Sequence, residues 1–365
     1  MPNEKPIFEY ANEHVQGLTG YVPGVQPREE GWIKLNTNEC PYSPSPSVNA
    51  ALQEAASDSL RLYPDPVSSA LRAEAASLHG VKAENVFFGN GSDDVLNLLV
   101  RAFSNADQKA SFTMPSYSLY PVLCAIQNTA TEIFPFDREM ELPFNAIAGS
   151  KARILFLTSP NAPTGVAFTN DDLARVAESF DGLVVIDEAY ADFADTNAVE
   201  LLDRYDHVVI TRTFSKSYAL AGIRLGYAIA SSAVVEILDR VKDSYNVNRL
   251  TQAAGLAALR DQNYLQALVK KVKYTRDYYA QEFADLGWFV YPSQANFLFL
   301  EPKNSAGESG AEIANALFEF LKENKILVRY FPGHALTASF LRISVGDDDQ
   351  MLLLSETIRR WLNKE

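Results

Sequence analysis

The chain is poor in cysteine, in histidine, in long apolar runs and in positive charge. Cysteine occurs only at Cys40 and Cys124, with no C-x-x-C pair, which argues against a redox dithiol or a cysteine-built zinc site. The four histidines, His14, His79, His207 and His334, are scattered. None has the ligand spacing of a metal centre, so no metal is expected. No stretch approaches the roughly 18 uninterrupted apolar residues of a membrane span. The opening MPNEKPIFEY lacks the basic-then-apolar pattern of a secretory signal. Two free thiols suit a reducing compartment, and a cytoplasmic location is expected. Lysine and arginine number 32 against 46 acidic residues, a net charge of −14. That balance argues against nonspecific binding to nucleic acid or an anionic membrane.

What remains is an ordinary globular composition, 47% hydrophobic and 21% charged over 365 residues. That length exceeds one compact core, so two domains are expected. Residues 1–48 are proline-rich and irregular, yet they carry Tyr10, Tyr21, Trp32 and Tyr42. Those aromatics favour an arm docked on another surface over a floppy tail. Further on, short runs rich in Val, Ile and Phe read as buried strands: 86–89, 110–113, 153–159, 183–187, 207–213 and 226–230. Helical patterns lie between several of them, such as residues 92–103, with Asp93 and Asp94 in the first turn. The alternation predicts an α/β domain with a mostly parallel central sheet. After residue 246 come a long helical stretch to about 286, broken near 261–263, then strands and helices of α+β character. The expected organisation is an arm at 1–30, a small α+β domain from 31–48 and 247–365, and a large domain at 49–246.

The most informative segment is T-R-T-F-S-K-S-Y-A-L-A-G-I-R-L-G, residues 211–226. It sets one lysine, Lys216, in a hydroxyl-rich turn at a strand end. A lysine nucleophile needs a cleft and neighbours that lower its pKa. Thr213, Ser215 and Arg224 could hold phosphate oxygens around it. Three further segments align with it. S-P-N-A-P-T-G, 159–165, follows a strand and could aim Asn161 into a cleft. D-E-A-Y, 187–190, places Asp187 at the end of another. G-N-G-S-D-D, 89–94, enters a helix whose free N–H groups favour an anion. Alone, the lysine reads as a solvated surface residue, the proline-bracketed turn as a simple loop, the acid as a helix cap or a paired buried charge, and the glycine turn as a common helix entry.

Together these segments resemble the fold-type I pyridoxal-phosphate enzymes, in particular the class I and II aminotransferases, over nearly the whole chain. The resemblance implies a large domain with a mostly parallel sheet, a smaller α+β domain, and pyridoxal 5′-phosphate as cofactor. Lys216 matches the lysine that holds the cofactor as a Schiff base and shuttles the proton. Asp187 matches the carboxylate that faces the pyridine nitrogen and keeps the ring an electron sink. Tyr190 and Asn161 match the groups on the phenolic oxygen. Gly91, Ser92, Ser215 and Arg224 match the phosphate cup, with Ser92 and Asp93 at the helix start. Tyr117, in M-P-S-Y-S-L-Y, matches the aromatic stacked on the ring.

Within that group the chain looks most like the histidinol-phosphate aminotransferases. L-N-T-N-E-C-P-Y (35–42), R-L-Y-P-D-P (61–66) and Y-V-P-G (21–24) resemble that family's segments. The resemblance implies a homodimer with shared active sites, in which Tyr63 reaches the cofactor phosphate of the neighbouring subunit. It also implies that Tyr21 covers the substrate, and that Arg329 and Arg342 bind anionic groups, Arg342 as the main anchor. Tyr245 and Asn248 are candidates to face the substrate. The implied reaction is ping-pong transfer of an amino group between glutamate, which leaves as 2-oxoglutarate, and imidazole acetol phosphate. The chain departs from the pattern at Cys40 and Ala162, where asparagine is usual. Those departures bear on the substrate rather than the reaction class. The alternatives are an aromatic (phenylalanine) aminotransferase, a threonine-phosphate decarboxylase, and a non-catalytic ligand-sensing domain of the same fold.

Overall fold

The computed structural model describes residues 7–27 and 29–363. A seven-stranded sheet forms the centre. Its strands, in chain order, are β1 (Val86–Gly89), β2 (Ala110–Met114), β3 (Thr131–Pro135), β4 (Ile154–Thr158), β5 (Leu183–Asp187), β6 (Val208–Thr213) and β7 (Gly226–Ala230). Their spatial order is β1-β7-β6-β5-β4-β2-β3. Pairings from β3 through to β6 are parallel, whereas β7 runs antiparallel to both β6 and β1. Every residue of β4, β5, β6 and β7 is buried. The sheet is therefore covered on both faces, which is why these strands read as continuous apolar runs. β3, at one edge of the sheet, was not legible in that way. Its residues T-E-I-F-P are mostly exposed or half-buried, with only Phe134 buried. This edge lies open, unlike the β1 edge, where every residue is buried, and an edge strand tolerates a terminal proline.

The helix Ser92–Phe103 follows β1 through Gly91, whose φ is +91°. Its buried stripe, Val95, Leu96, Leu98, Leu99 and Val100, lies on one face of the sheet with Phe87, Phe112 and Phe156. Asp93 and Asp94 occupy its first turn and Arg101 its last, as the helix dipole favours.

Beyond the central sheet, β8 (Phe289–Val290), β9 (Phe297–Glu301), β10 (Arg329–Tyr330) and β11 (Leu341–Ser344) form an antiparallel sheet in the order β10-β11-β9-β8. Helices Ala311–Glu323 and Asp348–Leu362 share its core, where Leu298, Leu300, Leu317, Leu341, Ile343 and Ile358 are fully buried. The apolar run 326–331 divides between two sheets. Ile326–Leu327 pairs in parallel with Ile33–Lys34, and Arg329–Tyr330 joins β11. That division sets Arg329 directly opposite Arg342.

The long helical stretch breaks at Asp261, giving helices Arg249–Arg260 and Gln262–Asp285. The Asp261 carboxylate caps the second of them, accepting from Tyr264 N–H at 3.3 Å. The first helix differs from the sequence reading, which groups it with the small domain. It packs on helices Pro46–Ala55 and Ser69–His79. Ala254, Ala258 and Leu259 join Leu71, Val86 and Ile229 in the core of the large sheet. Gly255 makes this close approach possible: a Cβ there would stand 2.2 Å from Leu225 Cδ2. The helix Pro46–Ala55 likewise crosses the expected boundary at 48. Periodicity marks a helix's apolar face but not which sheet that face meets.

Candidate active site

Three neighbouring parallel strands end at one place. The register pairs Thr158 with Asp187, and Asp187 with Thr211, so β4, β5 and β6 present their carboxyl ends together, the usual position for a ligand in a parallel sheet. A cavity of about 780 Å³ opens there, between the central sheet and the antiparallel one. Lys216, Asp187, Tyr190, Ser92, Asp93, Tyr117, Thr213, Ser215, Arg224, Tyr21, Arg329 and Arg342 all line it. Residues from seven separate segments thus converge on one space.

Lys216 sits in the turn after β6, and its Nζ donates to Thr37 O at 3.2 Å. Burial lowers its pKa, Arg342 adds to the effect, and together they bring it down to about 8. A lysine so tuned is partly neutral near physiological pH and can act as a nucleophile. Tyr190 lies beside it, with Nζ 5.8 Å from the ring centroid.

Asp187 is buried at the end of β5. Oδ2 accepts from the Tyr120 hydroxyl at 2.7 Å and Oδ1 from the Thr211 hydroxyl at 3.0 Å. Burial pushes its pKa up to about 6, against the lowering effect of those two hydrogen bonds. A buried carboxylate whose partners are neutral hydroxyls suits a cationic group such as a protonated ring nitrogen.

At another corner lies an anion cradle. Arg224 donates from Nη1 to Ser215 Oγ at 3.3 Å, and Ser215 N–H donates to Thr213 Oγ1 at 3.1 Å. Arg224 Nη2 also stands 3.3 Å from Asp93 Oδ2. The start of helix Ser92–Phe103 faces the same corner, and two glycines allow the approach. A Cβ on Gly91 would meet Arg224 Nη2 at 2.6 Å, and one on Gly226 would meet Ser92 N at 2.2 Å. A guanidinium, two hydroxyls and a helix N-terminus form a donor set for a phosphate.

The opposite wall carries the two arginines. Arg342 is half-buried, donates from Nη2 to Asn36 O at 3.0 Å, and leaves Nε without a partner. Burial, with Arg329 adding to it, lowers its pKa from the ordinary arginine value. Both guanidiniums lie over the Phe331 ring, at 5.5 Å for Arg329 and 5.3 Å for Arg342. Arg329 Nη2 donates to Val22 O at 3.3 Å and Asn36 Nδ2 to Val25 O at 3.0 Å, which straps the arm across this wall. Gly24 fits there because a Cβ would strike Thr37 Cγ2 at 2.5 Å.

Not every expected residue reaches the cavity. Asn161 is fully buried behind the wall. Its Nδ2 donates to Pro115 O, and its Oδ1 accepts from Thr164 N–H and Oγ1. The amide secures its own proline-bracketed turn, so Ala162 and Pro163, not Asn161, face the cavity. Gly91 contributes through its backbone beside Arg224 rather than as a lining residue. Tyr63 lies on the outer surface, 77% exposed, stacked on Tyr245 at 4.3 Å and 12°. Asn248 caps helix Arg249–Arg260 by accepting from Thr251 N–H.

Sequence reasoning missed several lining groups. Asn38 and Glu39 belong to a segment singled out only for its family likeness. Asn38 holds Tyr190, and Glu39 accepts from Lys34 Nζ at 2.6 Å and from Thr37 Oγ1 at 2.9 Å. Burial opposes ionisation of Glu39, but those hydrogen bonds hold its pKa below the usual carboxylate value. Tyr120, behind Asp187, lies three residues after Tyr117, and nothing in the local pattern separates the two.

A mostly parallel sheet, a lysine amine at its carboxyl edge, a facing acid and an anion cradle define a transferase that handles carbonyl and amine groups through a lysine. The family model for aminotransferase class I and II matches residues 30–358, and the chain belongs to that family. The histidinol-phosphate aminotransferase of Syntrophotalea carbinolica is 44% identical over 340 residues, 93% of this chain and 95% of that one. That of Chromohalobacter salexigens is 44% identical over 348 residues, covering 94% and 96%. Among solved structures, histidinol-phosphate aminotransferase from Sinorhizobium meliloti, in complex with pyridoxal-5′-phosphate, matches with a TM-score of 0.85. It is 27% identical, with 97% of this chain and 98% of that one covered.

Proposed function

We propose that the protein is a histidinol-phosphate aminotransferase that uses pyridoxal 5′-phosphate to move an amino group between glutamate and imidazole acetol phosphate. One observation carries the reading. A half-buried lysine amine and a buried carboxylate line one cavity together with two arginines in register. The shared description of relatives at 40–44% identity, histidinol-phosphate aminotransferase, supports this choice of substrate.

Pyridoxal phosphate, when bound, supplies an electron sink for the carbanion formed at the substrate Cα. Arg224, Ser215, Thr213 and the backbone at Gly91–Ser92 would hold its phosphate, with Asp93 orienting Arg224. Asp187 would face the ring nitrogen, Tyr190 the ring oxygen and Tyr117 the ring face. Asn161, engaged with its own turn, supports the wall rather than the ring. The chain's own residues do the rest. Lys216 Nζ takes the proton from Cα and returns it, which a neutral amine in a buried site can do. Arg342 binds the anionic end of either substrate, a carboxylate or a phosphate, through its planar fork, and Arg329 stands beside it. Tyr21 and the strapped arm exclude water.

We further propose a cytosolic homodimer with shared active sites. Leu60, Leu62 and Tyr63 are exposed apolar side chains close in sequence, and Tyr63 stacks on the exposed Tyr245, which supports a partner covering this surface. Tyr63 on that surface would reach the partner's cofactor phosphate. Among the described residues, no helix is long and apolar enough to cross a membrane.

The test is an absorbance titration of the purified protein loaded with pyridoxal phosphate, adding L-histidinol phosphate, L-glutamate or L-phenylalanine separately. Conversion by histidinol phosphate at low concentration, with phenylalanine far weaker, is expected. Conversion by phenylalanine and not histidinol phosphate would move the enzyme to aromatic amino acids.

A further inference from the structure

Asp187 does not stand alone at the end of β5. Tyr120 opens the helix Tyr120–Ile126 and is fully buried. Its ring stacks on Phe156 at 5.0 Å and 21°, and meets Tyr117 edge-on at 5.7 Å. These contacts fix the ring in place. The hydroxyl then reaches two partners, Asp187 Oδ2 at 2.7 Å and Thr158 Oγ1 at 2.6 Å. Thr158 in turn lies 3.1 Å from Ser116 Oγ.

The direction of this chain follows from elementary donor counting. An ionised carboxylate only accepts, and a phenol has one hydrogen. Tyr120 therefore donates to Asp187, Thr158 donates to Tyr120, and Ser116 donates to Thr158. Each hydroxyl polarises the next toward the carboxylate. On the other side, Thr211 donates directly to Oδ1. The strands flanking β5 thus each supply a hydroxyl to the network that ends on Asp187. Thr211 acts from β6 in direct register, and Thr158 acts from β4 through Tyr120.

We infer that Tyr120 is a positioning residue, which through its hydroxyl aims the Asp187 carboxylate into the cavity and favours its anionic form over the protonated one. The inference rests on the proposed pairing of Asp187 with a cationic ring nitrogen. Burial alone would drive the acid toward its neutral form, and a neutral acid could not hold a proton on that nitrogen. The directed hydroxyl chain offsets this. It also blocks rotation of the carboxyl group, because both oxygens are engaged. A tyrosine present for packing alone would contribute only its ring.

The test uses the full chain loaded with pyridoxal phosphate labelled with 15N in the ring. Tyr120→Phe keeps the stacked ring and removes the hydroxyl. Its 15N resonance is expected to move toward the unprotonated value. The dissociation constant for pyridoxal phosphate, read by fluorescence, should rise about tenfold, as loss of one charge-assisted hydrogen bond implies. Thr211→Val should act in the same direction, and Thr158→Val should do so more weakly. Asp187→Asn is the reference and should give the full change in the 15N signal. A wild-type signal and affinity in Tyr120→Phe, beside a large change in Asp187→Asn, would overturn the inference and leave the Asp187 pairing intact. No change in Asp187→Asn would overturn both. If Tyr120→Phe fails to fold, wild-type signals in both threonine variants would overturn the inference.

Discussion

Asn38 donates from Nδ2 to the hydroxyl of Tyr190 at 2.9 Å, joining residues 152 positions apart. The asparagine is itself clamped from the antiparallel sheet. Its N–H donates to Ser344 Oγ at 2.8 Å, Ser344 donates back to Oδ1 at 2.9 Å, and Asn296 Nδ2 donates to its carbonyl at 3.0 Å. Its φ of +55° is left-handed, which asparagine tolerates better than most residues. A residue between the two sheets thereby sets the direction of a tyrosine beside Lys216.

Replacing Asn38 should therefore affect both fold and site. Asn38→Ala removes a buried donor, strands the Tyr190 hydroxyl and strains the backbone. We expect a loss of about 2–3 kcal/mol in urea unfolding, with a fall in kcat/KM. Unchanged stability would show that the clamp carries no net energy.

The lysine gives a pH signature. Its amine, lowered to about 8 in the cofactor-free cavity, should react with pyridoxal phosphate at a rate that climbs through pH 8 and levels off above it. Stopped-flow absorbance would read this, and a midpoint near 10 would contradict it. The sign for stability follows from the same shift. Between about 8 and the ordinary 10.5 the unfolded chain binds more protons at this site than the folded chain. Stability of the cofactor-free protein gains from Lys216 as pH rises across that window, and the gain is absent below it. Lys216→Ala should abolish both the rate profile and transamination while still holding pyridoxal phosphate noncovalently.

On the proposed reading Arg342 would carry the heavier share of anion binding, because it rests on two aromatic rings and has an unpartnered Nε. Arg342→Lys keeps the charge but loses the planar fork. We expect kcat/KM to drop about a hundredfold with both glutamate and histidinol phosphate. Arg329→Ala, at the neighbouring arginine, should cost about tenfold. Equal effects in steady-state kinetics would show that the two arginines share the load.

Behind the lysine turn, Glu188 stands 3.0 Å from Arg212 Nε, and Arg212 Nη1 is 2.8 Å from Asp192, which also accepts from Ser217 beside Lys216. Glu188 and Arg212 are both buried. Glu188→Ala leaves a buried guanidinium short of a counter-charge. Thermal or urea unfolding should show a loss of about 3–5 kcal/mol. A near-neutral result would mean that Asp192 alone compensates Arg212.

Much of this protein was written locally. Lys216, Asp187, Ser215 and Arg224 sit at strand ends or in turns that apolar runs, glycines and hydroxyl clusters announce. Burial on both faces makes parallel strands read as continuous Val, Ile and Phe. The chemistry of the site follows from residue types at those ends. Other features had no local signature. β3 went unread because its edge of the sheet lies open and only Phe134 is buried, too little to leave a pattern. Helix Arg249–Arg260 went to the wrong sheet because an apolar face does not name its partner. Asn161 turns from the cavity because its amide bridges its own turn, through Thr164, and the carbonyl of the distant Pro115. The opposition of Arg329 and Arg342, the clamp on Tyr190 and the hydroxyl chain on Asp187 were decided only by tertiary structure. Each depends on strand register or side-chain direction between residues distant in the chain, and long-range packing alone sets those.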